Sequence, residues 1–205
     1  MIIQVALTKA NLMSTKRILE ISRNGFSLLD KKCSILTKEL MALLGRAKEI
    51  KGKIDAVYHD AYSALQEANI SLGICEEAAM SVSEENKLQL SSRSVMGVEI
   101  PILSLEESDN FGIAPFGLYN TNSYLDKAFL KFEKVKKLTV KFAEVENSIY
   151  RLTYVIKKTK KRANALKNAI IPEFEALVKN ITNSLEEKER EEFIRQKVIK
   201  NAKKV

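Results

Sequence analysis

The chain reads as an all-α-dominated protein: a long antiparallel two-helix coiled coil with a small head that contains a β-hairpin. Three observations predict it. Only 3 Pro and 7 Gly interrupt 205 residues, and those residues are the usual punctuation of strands and turns. Apolar residues recur in heptads over two long stretches, one before and one after a short middle. The middle, residues 82–122, breaks both patterns and is too small to be more than a head.

The first helix is predicted from about Lys9 to about Ser81. Stepping by seven from Leu12 gives Leu19, Phe26, Cys33, Leu40, Ala47, Ile54, Ala61, Ala68 and Cys75, all apolar. A second row three residues later is apolar from Leu29 through Leu36, Leu43, Ile50 and Val57 to Ala64. Rows three and four apart are the a and d positions of a coiled-coil seam. No proline occurs before Pro101. Such a helix is on the order of 100 Å long and needs a partner to hold it. Gly45, Gly52 and Gly73 fall away from the seam, as tolerated surface glycines or as points of bending or close approach.

The second helix is predicted from Ser123, with Asp126 three residues on in a capping-box-like start. Ala128, Val135, Phe142, Ile149, Ile156, Ala163, Ile170 and Leu177 step by seven, flanked by Leu138, Val145, Leu152 and Leu166. From Ala163 the spacing of Leu166, Ile170, Phe174, Leu177, Ile181 and Leu185 becomes an eleven-residue repeat, which relaxes the left-handed supercoil. Pro172 lies within it, so a kink is expected near Asn168.

In the middle, Val95, Val98, Ile100, Ile102, Leu103 and Leu105 precede an acidic stretch, and Phe111 to Tyr119 is apolar again. Two short strands around that acidic turn are the expected hairpin, with Pro101 and Pro115 at strand edges. The segments along the chain are thus 1–81, 82–122 and 123–205. Two helices joined by so small a head return antiparallel, with both termini at the opposite end. Facing residue numbers are then expected to sum to roughly 205.

Charge is uneven. Residues 1–75 hold 11 Lys/Arg and 7 Asp/Glu, a net +4; residues 76–126 hold 2 and 9, a net −7; residues 127–205 hold 21 and 10, a net +11. Basic surfaces attract polyanions, but the acidic centre argues against one continuous nucleic-acid groove. The run Lys157, Lys158, Lys160, Lys161, Arg162 is the sharpest charge feature. It reads as a solvated helix face, a contact with acidic loops of a partner, or a nucleic-acid patch; interleaved aromatics, which the last favours, are absent.

No catalytic set is legible. The single histidine, His59, lies on the outward row, and no Gly-rich phosphate loop or metal-ligand spacing occurs. Cys33 and Cys75 have no redox or metal spacing and read as small apolar packers. No run reaches the ~18 apolar residues of a membrane span. No cofactor is expected. Ile2, Ile3, Val5, Leu7, Val198, Ile199 and Val205 are more apolar than free ends need, and form either a tip for a socket or a local packing of one end on the other.

Two motifs resemble a known family. The stretch from Lys157 to Lys200 has a basic run, then Arg162, Asn164, Ala165 and Leu166, then Ile171-Pro172, then Leu185 to Glu187 and Glu189 to Glu192, then Lys197 and Lys200. Leu7 to Lys32 carries Thr8, Lys9, Asn11, Leu12, Gly25, Leu28, Leu29 and Lys32. Both are similar to the D subunit of V/A-type ATPases. Departures are the missing proline before Thr8 and Cys33-Ser34 where the family often has Arg-Asp. The resemblance implies a non-catalytic rotor shaft, cytoplasmic and peripheral to the membrane. Its implied partners are a hexamer of catalytic A subunits with B subunits, the small F subunit of the stalk, and the C (d) subunit on the membrane ring; neither nucleic acid nor membrane insertion is implied. Ile3, Val5, Lys9, Arg190, Arg195, Lys197 and Lys200 become candidate contacts with the hexamer, and the basic run a candidate contact with partner subunits. The gamma subunit of F-type ATPases shares the plan, but its middle is a sizeable α/β domain. A basic scaffold coiled coil would explain the charge but neither motif.

Overall fold

A computed structural model describes residues 6–82, 88–105, 116–117 and 121–202. Its elements are α1 (Lys9–Leu72), α2 (Glu76–Met80), β1 (Leu88–Val95), β2 (Val98–Leu105), α3 (Ser123–Ala165), a π-helical turn (Leu166–Ile170) and α4 (Ile171–Ala202). The chain forms two compact units, one of residues 1–34 with 157–205 and one of residues 35–156.

Helix α1 starts where its sequence supplies a cap. The Asn11 N–H donates to Thr8 Oγ1 at 3.3 Å, and Asn11 Nδ2 reaches back to the Ala6 carbonyl at 2.7 Å. Thr8 thereby satisfies one of the orphan amides of the first turn. The helix ends nine residues before the expected Ser81. Gly73 takes φ +84°, and its N–H donates to Asn69 O at 3.0 Å. This is a glycine C-cap in the left-handed region, so Gly73 is a terminator, not a tolerated surface glycine. Gly45 and Gly52 stay helical, with nothing within 4 Å of a β-carbon built on either. At α3, the Asn122 carbonyl accepts from Leu125 N–H at 2.8 Å. The cap is therefore Asn122, one residue before the expected Ser123, and Asp126 lies in the first turn where a carboxylate favours the helix dipole.

Within the first unit, α1 runs antiparallel to the C-terminal helices: Lys9 meets Glu189 at 2.7 Å and Arg23 meets Glu175 at 2.6 Å. The expected register would have put residues 196 and 182 there. Both partners are one heptad early, because α1 stops at Leu72 and the return begins nearer its true end. Thr15, Leu19, Ala163 and Ile181 are buried here, with Leu12, Phe26, Leu29, Cys33, Leu166, Ile170, Phe174 and Leu177 half-buried. Thr15 is a polar seam residue made harmless by donating to Asn11 O at 2.7 Å.

In the second unit, Leu36, Leu43, Val98, Ile100, Val145 and Leu152 form one buried cluster, with Leu40, Ala47, Ile50, Ile149 and Ile156 packed against it. Further along, Ala61, Ala64, Ala68 and Ala128 are buried. Tyr62 stacks beside Tyr58 and meets Phe132 edge-on at 5.6 Å, and Phe116 meets Phe129 edge-on at 5.8 Å. Tyr58 OH lies 3.1 Å from Thr139 Oγ1, again short of the expected residue 147.

The hairpin differs most from expectation. Its strands are Leu88–Val95 and Val98–Leu105, paired antiparallel with Val95 opposite Val98. The turn is Met96–Gly97, both at positive φ (51° and 75°), the two-residue primed turn that matches strand twist. The acidic stretch expected as the turn lies after β2, and Glu106 to Asn110 and Phe111 to Pro115 fall outside the described residues. The hairpin also does not cap the helix ends. Val98 and Ile100 lie in the cluster with Leu36 and Leu152, well short of Leu72.

Candidate functional site

Pairing Val95 with Val98 makes alternate residues of β2 turn their backbone groups away from β1. These are Glu99, Pro101 and Leu103. Helix side chains meet two of them: Arg151 donates to Glu99 O at 3.2 Å, and Glu144 Oε2 accepts from Leu103 N–H at 3.2 Å. Pro101 sits between them at a position that needs no donor to β1, so its missing N–H costs nothing. Arg93 on β1 adds an ion pair to Glu39 at 2.9 Å. The outer edge of β1 has exposed side chains over seven of its eight residues.

The residues singled out as a seam (Leu12, Leu19, Phe26, Leu29, Leu36, Leu40, Leu43, Ile50, Ile54, Val135, Leu138, Phe142, Val145, Ile149, Leu152, Ile156, Leu166 and Ile170) are each buried or half-buried. Leu36 and Leu152 are 0% exposed, whereas Leu40 is only half-buried.

The basic run occupies every exposed position of its stretch. Lys157, Lys158, Lys160, Lys161 and Arg162 are exposed, while Thr159 and Ala163 between and after them are buried. Among the described residues no carboxylate lies within salt-bridge distance of any of the five. Among the described residues the run is an unneutralised basic face.

Of the candidate terminal contacts, Ile3 and Val5 lie outside the described residues. Lys9 is exposed and paired to Glu189. The shared hydrogen bond, and then the charge attraction, hold Lys9 above its ordinary 10.5 and Glu189 below its ordinary 4.5. For Glu189 the stabilising contribution is present above the ordinary carboxylate range and is lost as pH falls through the lowered value. For Lys9 it is present below 10.5 and lost as pH rises through the raised one. An NMR titration is expected to place the Glu189 midpoint below 4.5 and to return it there in Lys9→Ala; an unmoved midpoint would show that the pair does not form in solution.

Arg190 makes a loose i,i+4 contact with Glu186 at 3.9 Å. Arg195, Lys197 and Lys200 are exposed, as is the whole of α4 after Leu185. That tail carries Phe193, Ile194, Val198 and Ile199, each at least half exposed. Val198 and Ile199 stood out in the sequence; Phe193 and Ile194 did not, although their i,i+4 and i,i+5 relation to the other two was readable. Val205 lies outside the described residues.

His59 is exposed, and neither Cys33 nor Cys75 is in a disulfide. No cluster of metal-binding side chains occurs among the described residues, nor any helix long and apolar enough to cross a membrane.

The comparisons with known proteins agree with the motifs. The family model of the ATP synthase D subunit matches residues 11–201. The V-type ATP synthase D subunit of Thermotoga neapolitana is 40% identical over 198 residues, covering 96% of this chain and 97% of its own. The A-type ATP synthase D subunit of Thermococcus kodakarensis is 34% identical over 202 residues (97% and 94%), and that of Methanosphaera stadtmanae 35% over 196 residues (94% and 92%). With the match running from the first turns of α1 to the end of α4, the chain belongs to the family of ATP synthase D subunits.

Proposed function

We propose that this chain is the central-stalk shaft of a V/A-type ATPase, a non-catalytic component that transmits torque between the ATP-handling hexamer and the ion-translocating membrane ring. The observation that carries the reading is 40% identity, over nearly the whole of both chains, to a V-type ATP synthase D subunit. The 64 uninterrupted residues of α1 and its buried apolar row support it, since torque transfer needs a stiff element. The complex is peripheral on the cytoplasmic side.

The shaft acts mechanically. An asymmetric rod within a ring of A and B subunits makes different contacts with each catalytic site. Turning it changes which conformation each site prefers, a coupling of binding free energies between sites. The partners are A and B around the terminal end, with Lys9, Arg190, Arg195, Lys197, Lys200, Ile3 and Val5 as contacts. The F and C (d) subunits bind elsewhere on the stalk. The basic run from Lys157 to Arg162 meets acidic loops of a surrounding protein of the complex. Exposed ion pairs of that kind are worth ~0–1 kcal/mol each, enough to bias a position without arresting rotation.

The test is capture of the tagged chain from native membranes at moderate salt, with mass spectrometry and an ATPase assay on the eluate. Recovery of A, B and F with activity is expected. Recovery of nucleic acid or unrelated proteins, with A, B and F absent, overturns the reading.

A further inference from the structure

The C-terminal helical run leaves α geometry once. At Leu166–Ile170 the pairing widens, and the Ile171 N–H donates to the Leu166 carbonyl five residues back. Three features of this turn converge. The inward-facing residues Leu166, Ile170 and Phe174 are two successive four-residue steps apart, more residues per turn than the 3.6 of an α-helix, and the wider turn matches them. Pro172 follows immediately and has no N–H to give. In α pairing it would leave the Asn168 carbonyl without a donor; in π pairing it leaves that of Lys167. Either geometry therefore lacks one bond, and bond count hardly separates them. Third, no side chain of Leu166–Ile170 is fully buried, Leu166 and Ile170 being half-buried, so a change of pairing disturbs only part of the packing. One tie from this turn to α1 is the Lys167 ammonium, 5.9 Å from the centre of the Phe26 ring. Firm anchors flank it: Ala163 is 5% exposed on one side and Ile181 0% on the other.

We infer that Leu166–Ile170 is a hinge built into the C-terminal helix, which exchanges between π and α pairing while the turns on either side stay seated. A single π turn inside an α-helix frequently marks a functional site. Pro172 holds it in place, because in α pairing its ring crowds the Asn168 carbonyl four residues back, and the wider turn relieves that crowding. The hinge lets α4 tilt and twist locally without unseating Ile181. Its use as a point of give in a shaft rests on the function proposed above; its existence does not.

Amide hydrogen exchange on the full-length chain by itself tests it. Residues 167–171 are expected to exchange at least about 30-fold faster than residues 157–163 and 176–182, as local opening predicts. Pro172→Ala removes that crowding of the Asn168 carbonyl, favours continuous α pairing and is expected to slow that exchange about tenfold or more. Protection of 167–171 equal to the flanks overturns the hinge, and so does a fast segment that Pro172→Ala leaves unchanged. Since no other protein takes part, either failure leaves capture of A, B and F unaffected, and failed capture leaves the exchange result standing.

Discussion

A Leu152→Ala chain is expected to melt about 10 °C below the unaltered one. Leu152 is 0% exposed and packs with Leu36, Leu43 and Val145 from the helices and with Val98 and Ile100 from the hairpin. Its truncation removes transfer free energy and leaves a cavity bounded by three separate elements, a loss of ~2–5 kcal/mol. For a chain of this length each kcal/mol moves the midpoint by ~2–4 °C. Leu152→Asp goes further, because it buries a carboxylate with no partner in the cluster. Leu40→Ala is the comparison: Leu40 is a seam leucine of α1 packed against the same cluster but only half-buried, so the midpoint falls by less. Thermal melts followed by far-ultraviolet circular dichroism decide between them. An unchanged midpoint for Leu152→Ala would mean that the cluster does not hold this part of the molecule together.

Periodicity alone located the long helices because their buried rows are nearly uninterrupted: Leu19, Leu36, Leu43 and Ile54 in α1, and Val135, Val145 and Leu152 in α3. Pro172 announced the disturbed turn, since proline chemistry acts within one turn of itself. What sequence reading lost depended on longer-range facts. Gly73 has the same identity as Gly45 and Gly52, and only the chain's departure toward α2 makes its φ positive. Placing the helix end nine residues late then displaced the whole facing register, so Glu189 was not foreseen as the partner of Lys9. The hairpin was misplaced for another reason. Leu88–Val95 is almost wholly exposed, so no alternation of apolar and polar residues marks it as a strand, and its Met96–Gly97 turn lacks the Asn-Gly or Asp-Gly signal. The apolar run at 111–119 looked the better strand. Of the candidate contact residues, the basic run was legible as a cluster, and its lack of neutralising carboxylates among the described residues required the structure.

The double variant Val98→Asp/Ile100→Asp is expected to release the hairpin and leave the helices standing. Both side chains are 5% exposed and supply the hairpin's share of the cluster. At ~1.5–3 kcal/mol for each buried aliphatic side chain, their loss removes ~3–6 kcal/mol, and two carboxylates facing Leu36 and Leu152 oppose redocking. The remaining ties among the described residues are the half-buried Val95 and exposed or backbone contacts (Arg93 to Glu39, Arg151 to Glu99 O, Leu103 N–H to Glu144), and exposed ion pairs contribute at most ~1 kcal/mol each. A two-stranded hairpin is marginal by itself in water, so once undocked it unravels. Limited proteolysis should then cut within residues 88–105 at least about tenfold faster, as expected for a locally opened segment, while helical circular dichroism falls only slightly. The helices lose a cover over Leu36, Leu43, Val145 and Leu152 but keep their contacts with one another, which is why the midpoint should drop less than for Leu152→Asp. Proteolysis at the unaltered rate would show that the polar ties, not Val98 and Ile100, seat the hairpin. A global loss of helix would show instead that the hairpin is a structural support of the helix pair and not an appendage on it.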